Sequence, residues 1–206
     1  DVLRTRLLQV LAEKGWRRVA ITSPTADCGK TFLTANLAIS LSRQENCRTL
    51  VMDTDLRNVG LAKTLGVRAP GAIGSLLRGS RSPRDHLLRL GDNDFEAGHN
   101  LAFALNDTPE PYASELLQDP RTAQAITEIE RRYDPDVMLF DMPPALVSDD
   151  VMAFSACFDA VLLVIGGGKT TPRDVKDTER RIGADLPLLG TVLNQAEHVD
   201  THRYGY

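Results

Sequence analysis

An α/β fold with a mostly parallel sheet is what this sequence predicts, and three observations predict it. Short apolar runs rich in β-formers alternate with longer segments of helical periodicity. Two of those runs, "RTLVMDTD" and "DVMLFDMPP", end in aspartate. A polar loop, "SPTADCGKT" at 23–31, joins the first run to a helical segment.

The elements follow in order. Val2 to Lys14 reads as an amphipathic helix, with Val2, Leu3, Leu7, Val10 and Leu11 near helical spacing and Gly15 breaking it. "RRVAIT" (17–22) is a short strand leading into the loop. "TFLTANLAISLSRQ" (31–44) is a helix expected to bury most of Phe32, Ala35, Leu37, Ile39 and Leu41. Residues 48–55 form a strand. Residues 60–90 carry short helical pieces punctuated by glycine and proline, and "NLAFAL" (100–105) is a further strand. A helix begins near Pro120 and runs to 134. Strands are expected at 136–144, 159–168 and 186–195, with a helix at 170–182 between the last two.

The chain has 206 residues, which suits one large domain over 1–206 with a short tyrosine-containing tail at 198–206. Hydrophobic residues at 42% and charged residues at 25% are an ordinary globular balance. A net charge of −4 gives no reason to expect nucleic acid as a partner. Cys28, Cys47 and Cys157 have no metal-ligand spacing and fit a reducing compartment. The four histidines suggest no metal either, and His86 in "RDHLL" is expected on a solvated helix face. Arg78, Arg81, Arg84 and Arg89 form a basic run of the kind that is usually solvated surface. No apolar run approaches the roughly 20 residues of a membrane span. With Asp at position 1, the chain is expected to be a fragment or trimmed product, with room for a membrane segment outside it.

Gly29-Lys30-Thr31 looks like the end of a phosphate-binding P-loop, G-x-x-x-x-G-K-[ST], with Pro24 where the first glycine usually stands. Taken alone, G-K-T also opens ordinary helices. The strand–loop–helix setting favours the P-loop. Backbone N–H groups of the loop and helix start, at Asp27, Cys28, Gly29, Lys30, Thr31 and Phe32, would face phosphate. Lys30 would meet the β- and γ-phosphates, and Thr31 would put a hydroxyl on Mg²⁺. Asp53, Asp55 and Asp141 end their strands, and ligands of an open parallel sheet sit beyond such ends. Mg²⁺ takes oxygen ligands, so a hydroxyl and one or two carboxylates suit it. Singly, Asp53 and Asp55 could be a solvated strand end or a helix cap, and Asp141 an Asx turn before Pro143. Together with the P-loop they make one site.

"SPTADCGKTFLTANLA", "LVMDTDLRNVGLAKTLG", "LFDMPPALVSDDV", "VLLVIGGGKTTPRDV" and "LLGTVLNQAE" resemble, in this order, the bacterial tyrosine kinases of capsule and exopolysaccharide synthesis. The resemblance runs from about Leu3 to Glu197. It implies a P-loop NTPase fold of the MinD/ParA kind, with Walker A, Walker A′ (the D-x-D strand end) and Walker B motifs. It implies an autophosphorylating protein-tyrosine kinase using ATP and Mg²⁺, with Thr31, Asp55 and Asp141 at the metal. Asp53 would accept the proton of a tyrosine hydroxyl, and Lys30 would steady the phosphates, the division between Asp53 and Asp55 staying open. Asn194 would read the adenine edge, or else is a strand-end turn residue. The family's Walker A tolerates proline near its start, so Pro24 fits.

The resemblance also implies a homo-oligomer, a membrane-embedded polysaccharide co-polymerase activator, fused or separate, and a place at the cytoplasmic face of the cell membrane. Tyr204 and Tyr206 would be the phosphoacceptors. There are departures. The signature lysine of MinD and ParA ATPases, five residues before the P-loop lysine, is Thr25 here, which weighs against a cargo-positioning ATPase. The family's E-x-x-R-x-x-R ring helix would place its last arginine at Arg4 and its glutamate before position 1. A non-catalytic nucleotide-binding regulator is a third reading, disfavoured by the intact Lys30, Thr31, Asp53, Asp55 and Asp141.

Overall fold

A computed structural model describes residues 1–91, 98–183 and 186–196; Tyr204, Tyr206 and the tail from 198 lie outside the described residues. In chain order the elements are α1 (Val2–Lys14), β1 (Arg18–Thr22), α2 (Lys30–Ser42), β2 (Thr49–Asp53), α3 (Leu61–Thr64), α4 (Ile73–Leu77), α5 (Pro83–His86), β3 (Leu88–Arg89) and β4 (Leu101–Ala104). Then come α6 (Ala113–Gln118), α7 (Pro120–Tyr133), β5 (Val137–Asp141), α8 (Asp150–Ala153), β6 (Ala160–Gly166), α9 (Pro172–Ile182) and β7 (Leu188–Asn194).

The strands form one sheet in the order β3-β4-β2-β5-β1-β6-β7. Every neighbouring pair is parallel except β3 with β4. Helices cover both faces, so the inner strands are apolar throughout rather than alternating. Successive side chains still go to opposite faces. Val19, Ile21, Val51 and Leu139 pack with Leu7 and Leu11 of α1 and Leu37 and Leu41 of α2. Ala20, Met52, Met138 and Phe140 pack on the other side with Leu76, Leu116 and Ile126. There Phe140 meets Phe154 edge to face, ring centres 5.2 Å apart.

Register then sets the site. Asp53 at the end of β2 lies directly beside Asp141 at the end of β5, and Ile21 of β1 faces Asp141 from the other side. The carboxyl ends of three adjacent central strands therefore meet where the 23–29 loop leaves β1.

Three expectations are corrected. Phe32 and Ile39 are 62% and 38% exposed, because α2 buries Thr34, Ala35, Leu37, Ala38 and Leu41, a stripe on the opposite face. His86 is buried, not solvated; its Nε2 lies 2.8 Å from the Leu105 carbonyl oxygen, and burial pushes its pKa down. Val2 is exposed, and α1 buries only Leu7 and Leu11 fully. Among the described residues no helix is long and apolar enough to cross a membrane.

Candidate phosphate-binding site

The loop from Ser23 to Gly29 is held at both ends. At its start, Thr22 Oγ1 donates to the Pro143 carbonyl (2.7 Å), Ala145 N–H to the Ser23 carbonyl (2.8 Å) and Leu146 N–H to the Pro24 carbonyl (3.1 Å). The loop after β5 thus sews down the loop after β1. Pro24 serves as an acceptor in this seam, and its missing N–H costs nothing there. At its end, Gly29 takes a left-handed φ of 80°, and Leu33 N–H donates to its carbonyl (2.9 Å), starting α2. Asn194 of β7 donates its side-chain amide to the Cys28 carbonyl (3.0 Å). Lys169 donates from Nζ to the Asp27 carbonyl (3.0 Å), and Thr170 Oγ1 lies 3.5 Å from Cys28 Sγ. The second Gly-Lys-Thr of the chain, at 168–170, therefore braces the first.

Behind the loop stand three carboxylates. Lys30 Nζ donates to Asp55 Oδ2 at 2.7 Å, with Asp55 only 2% exposed. Thr31 Oγ1 donates to Asp141 Oδ2 (2.7 Å), and Thr34 Oγ1 to Asp141 Oδ1 (3.2 Å). Asp53 Oδ2 accepts from Leu61 N–H at 3.3 Å, while its Oδ1 is buried with no partner among the described residues.

Burial and mutual repulsion decide the charge states. Asp53 is raised to about 8, first by burial and then by Asp141 and Asp55. Asp141 is raised to about 6 by burial, held from rising further by Lys30 and the Thr31 hydroxyl. Burial pulls the pKa of Lys30 down, but Asp141 and Asp55 outweigh it and the pKa goes up. Burial pushes the Cys28 thiol up, and hydrogen bonds with Thr170 and Thr25 bring it net below its ordinary value.

In front of this group lies a cleft of about 400 Å³ whose wall includes Asp27, Gly29, Lys30, Thr31, Asp55 and Arg57. Phe32 also borders it. Arg57 went unremarked in the sequence. It grips the fully buried Asp150 through two bonds (2.8 and 3.0 Å) and still borders the cleft. Its signal was its spacing, two residues beyond the D-x-D. Of the residues singled out, Lys30, Thr31, Asp53, Asp55 and Asp141 come together behind the loop, and Asn194 joins from β7 through the loop backbone.

A family model described as "CobQ/CobB/MinD/ParA nucleotide binding domain" matches residues 19–204. The chain belongs to this family. Within it, the chain is 31% identical to EpsB of Ralstonia nicotianae, a candidate tyrosine-protein kinase, over 99% of its own length and 26% of that protein's. The kinase domain of Escherichia coli tyrosine kinase ETK superposes with a TM-score of 0.81 at 26% identity, over 99% of this chain and 78% of that one. The BceF tyrosine kinase domain gives 0.80 at 28% identity, over 95% and 75%. The chain spans about a quarter of the length of the curated relatives it matches.

For a member of the nucleotide-binding family, Gly29 is the least replaceable part of the loop. A Cβ there would sit 2.2 Å from Asn194 Nδ2. Gly29→Ala is expected to cost about 1–2 kcal/mol of backbone strain and to push Asn194 off the Cys28 carbonyl. Nucleotide titration calorimetry should show at least a ~10-fold loss of affinity, about the worth of one charge-assisted contact. An unchanged affinity would mean that the loop geometry does not matter for binding.

Proposed function

We propose that this chain is the catalytic domain of a protein-tyrosine autokinase that uses ATP and Mg²⁺ and regulates capsular or exopolysaccharide synthesis and export. The observation that carries it is the assembly of Lys30, Thr31, Asp53, Asp55 and Asp141 at three adjacent strand ends, beside a cleft and behind a braced loop. The names of the ETK and BceF domains support the kinase reading. So does Thr25, whose hydroxyl lies 3.7 Å from Cys28 Sγ inside its own loop, where a cargo-positioning ATPase would carry a lysine.

The donor set fits a nucleotide with its metal. Among the described residues no group of three His, Cys, Asp or Glu is built to hold a metal ion alone. Thr31, Asp55 and Asp141 could hold Mg²⁺ only with phosphate oxygens and water completing the shell, which is the usual habit of that ion. Mg²⁺ there would neutralise phosphate charge and favour the ionised form of the neighbouring carboxylates. Lys30 would turn from Asp55 to the β- and γ-phosphates, and loop N–H groups from Asp27 to Phe32 would bind phosphate oxygens. The new bond forms between the tyrosine oxygen and the γ-phosphorus. The bond from that phosphorus to the β–γ bridging oxygen breaks, ADP leaves, and Asp53 takes the tyrosine proton. Asn194 is assigned to the adenine edge through its remaining carbonyl oxygen.

This reading places the chain at the inner face of the membrane, with a membrane-embedded co-polymerase as activator and other copies of itself as substrates. Tyr204 and Tyr206, which follow β7 in the sequence, are the proposed acceptors. Phosphate there adds roughly −1.5 to −2 charge per tyrosine, which an acid-lined cleft would repel. Incubation with Mg-ATP and a co-polymerase, followed by mass spectrometry, should find phosphate on Tyr204 and Tyr206. Phosphate only on the exposed Tyr112 or the half-buried Tyr133, or on no tyrosine despite ATP turnover, would overturn the acceptor assignment.

A further inference from the structure

Among the described residues that border the cleft, the cations are Lys30 and Arg57. Lys30 has its part in the reading above; Arg57 has none. It stands in the loop between β2 and α3, two residues beyond Asp55. Its guanidinium is fixed by two helices from distant parts of the chain. Asp150, the first residue of α8, accepts from Nε (2.8 Å) and from Nη2 (3.0 Å). Ser114 of α6 accepts a second bond from Nη2 (2.9 Å) and donates its own hydroxyl hydrogen to Asp150. The three side chains close a ring.

Counting donors shows what that ring leaves over. A guanidinium carries five N–H groups in one fixed plane. Three are spent on Asp150 and Ser114. The two on Nη1 have no partner among the described residues. They belong to a side chain that stays 44% exposed while its anchor, Asp150, is 0% exposed. Neutralising Asp150 would take one cation in any pose. The paired bonds and the serine also fix the plane of the guanidinium and its rotation. A cation held in place beforehand serves a phosphoryl group well, because nothing has to reorganise around the charge. Arginine suits that task, since its paired N–H groups match phosphate oxygens. Position favours the last phosphate. The loop amides and Lys30 approach from α2, whereas Arg57 lies on the side of Asp55, where the terminal phosphate must come if Asp53 is to take the acceptor's proton.

We propose that Arg57 binds the terminal phosphate of the nucleotide through Nη1, with Asp150 and Ser114 as positioning residues that hold it there. The inference rests on the proposal above that this cleft takes ATP. It does not depend on tyrosine being the acceptor.

The test is a comparison of two ligands by calorimetry: Mg-ADP, and Mg-AMP-PNP, a non-hydrolysable ATP analogue that keeps the terminal phosphate. Arg57→Gln alone would leave Asp150 buried without its cation and lower the melting temperature. Arg57→Gln with Asp150→Asn puts a neutral pair in the same places and should recover most of it. In this double variant AMP-PNP should bind at least about 10-fold more weakly, the scale of losing charge-assisted hydrogen bonds, while ADP affinity holds within about 3-fold. Asp150→Asn and Ser114→Ala each keep Arg57 but loosen it, and each should show the same one-sided loss at smaller size. A purely structural role would move both ligands or neither. Unchanged AMP-PNP affinity in the folded double variant would overturn the proposal and leave Arg57 as the counter-ion of Asp150. Equal loss for the two ligands would also overturn it, since the terminal phosphate would then not be what Arg57 meets. A parent chain that binds neither ligand would overturn this inference together with the ATP reading. Because no tyrosine enters the measurement, failure of the tyrosine-kinase reading alone would leave the one-sided loss as expected.

Discussion

Lys30→Met is expected to abolish phosphotransfer, lowering it by at least about 10³-fold, the usual scale for losing one preorganised charge on a transferring phosphoryl group. Lys30 is the ammonium at the head of α2, placed by a loop braced from β5, β6 and β7. Its nitrogen already lies 2.7 Å from a carboxylate, so the site is a place where a buried positive charge is stable. The substitution has a second consequence. It leaves Asp55, 2% exposed, without its cation. Breaking a buried pair by removing one partner costs up to about 3–5 kcal/mol, less here because Lys30 keeps 11% of its side chain exposed. A drop in melting temperature is therefore expected, and it could by itself be mistaken for loss of function. Lys30→Met with Asp55→Asn separates the two effects. The neutral pair should recover most of the melting temperature and none of the phosphotransfer. Phosphotransfer that returns with stability, or that never fell, would remove Lys30 from the phosphate site.

The parts of this site legible in the sequence are those in which chemistry and strand position coincide. Asp53 and Asp141 each end an apolar run, and a parallel register brings such ends together without further information. Pro24 was legible only through the resemblance; its physical role, a carbonyl held by Leu146 N–H, depends on a loop over a hundred residues away. Arg57 was missed because its meaning lies in Asp150, which short-range pattern does not connect to it. The same limit hid α8, whose few residues give too little periodicity to declare a helix, and the antiparallel edge pairing of β3, only Leu88 and Arg89. Phe32 and Ile39 misled because hydrophobicity was read before the face was fixed; seven residues apart, they share the side of α2 away from the sheet. His86 misled the other way. A polar residue among charged neighbours reads as solvated, yet the ring is buried with its Nε2 on the Leu105 carbonyl oxygen, a contact no local pattern announces.

Asp53→Asn is expected to make the nucleotide-free protein more stable and nearly inactive, and the stability gain should depend on pH. Asp53 is fully buried, with Oδ1 unpartnered among the described residues and two carboxylates as neighbours, and its pKa is raised to about 8. In the unfolded chain the same group ionises near 3.9. Between those values the folded state holds a proton that the unfolded state has released. Unfolding then becomes easier as pH rises from about 4 to about 8, and the penalty is constant above that. Asparagine has nearly the same shape and no proton to lose, so it escapes the penalty. Melts in metal-free buffer should therefore show little difference from the parent near pH 4, and a gain on the order of 10 °C near pH 8, since a separation of about four pH units corresponds to about 5 kcal/mol at roughly 2–4 °C per kcal/mol in a domain of this size. The amide oxygen is too weak a base to take a tyrosine proton, so turnover should fall by about 10²–10⁴. ATP affinity should hold within a few-fold, because Lys30, Thr31 and the loop backbone are untouched. A melting temperature lowered at every pH would mean that the carboxylate is ionised and paired in the folded state. A loss of affinity as large as the loss of turnover would make Asp53 a binding group rather than the acceptor of the proton. Stability gained where activity is lost, the expected pairing, would identify Asp53 as an acid whose ionised form the fold disfavours and keeps for its chemistry.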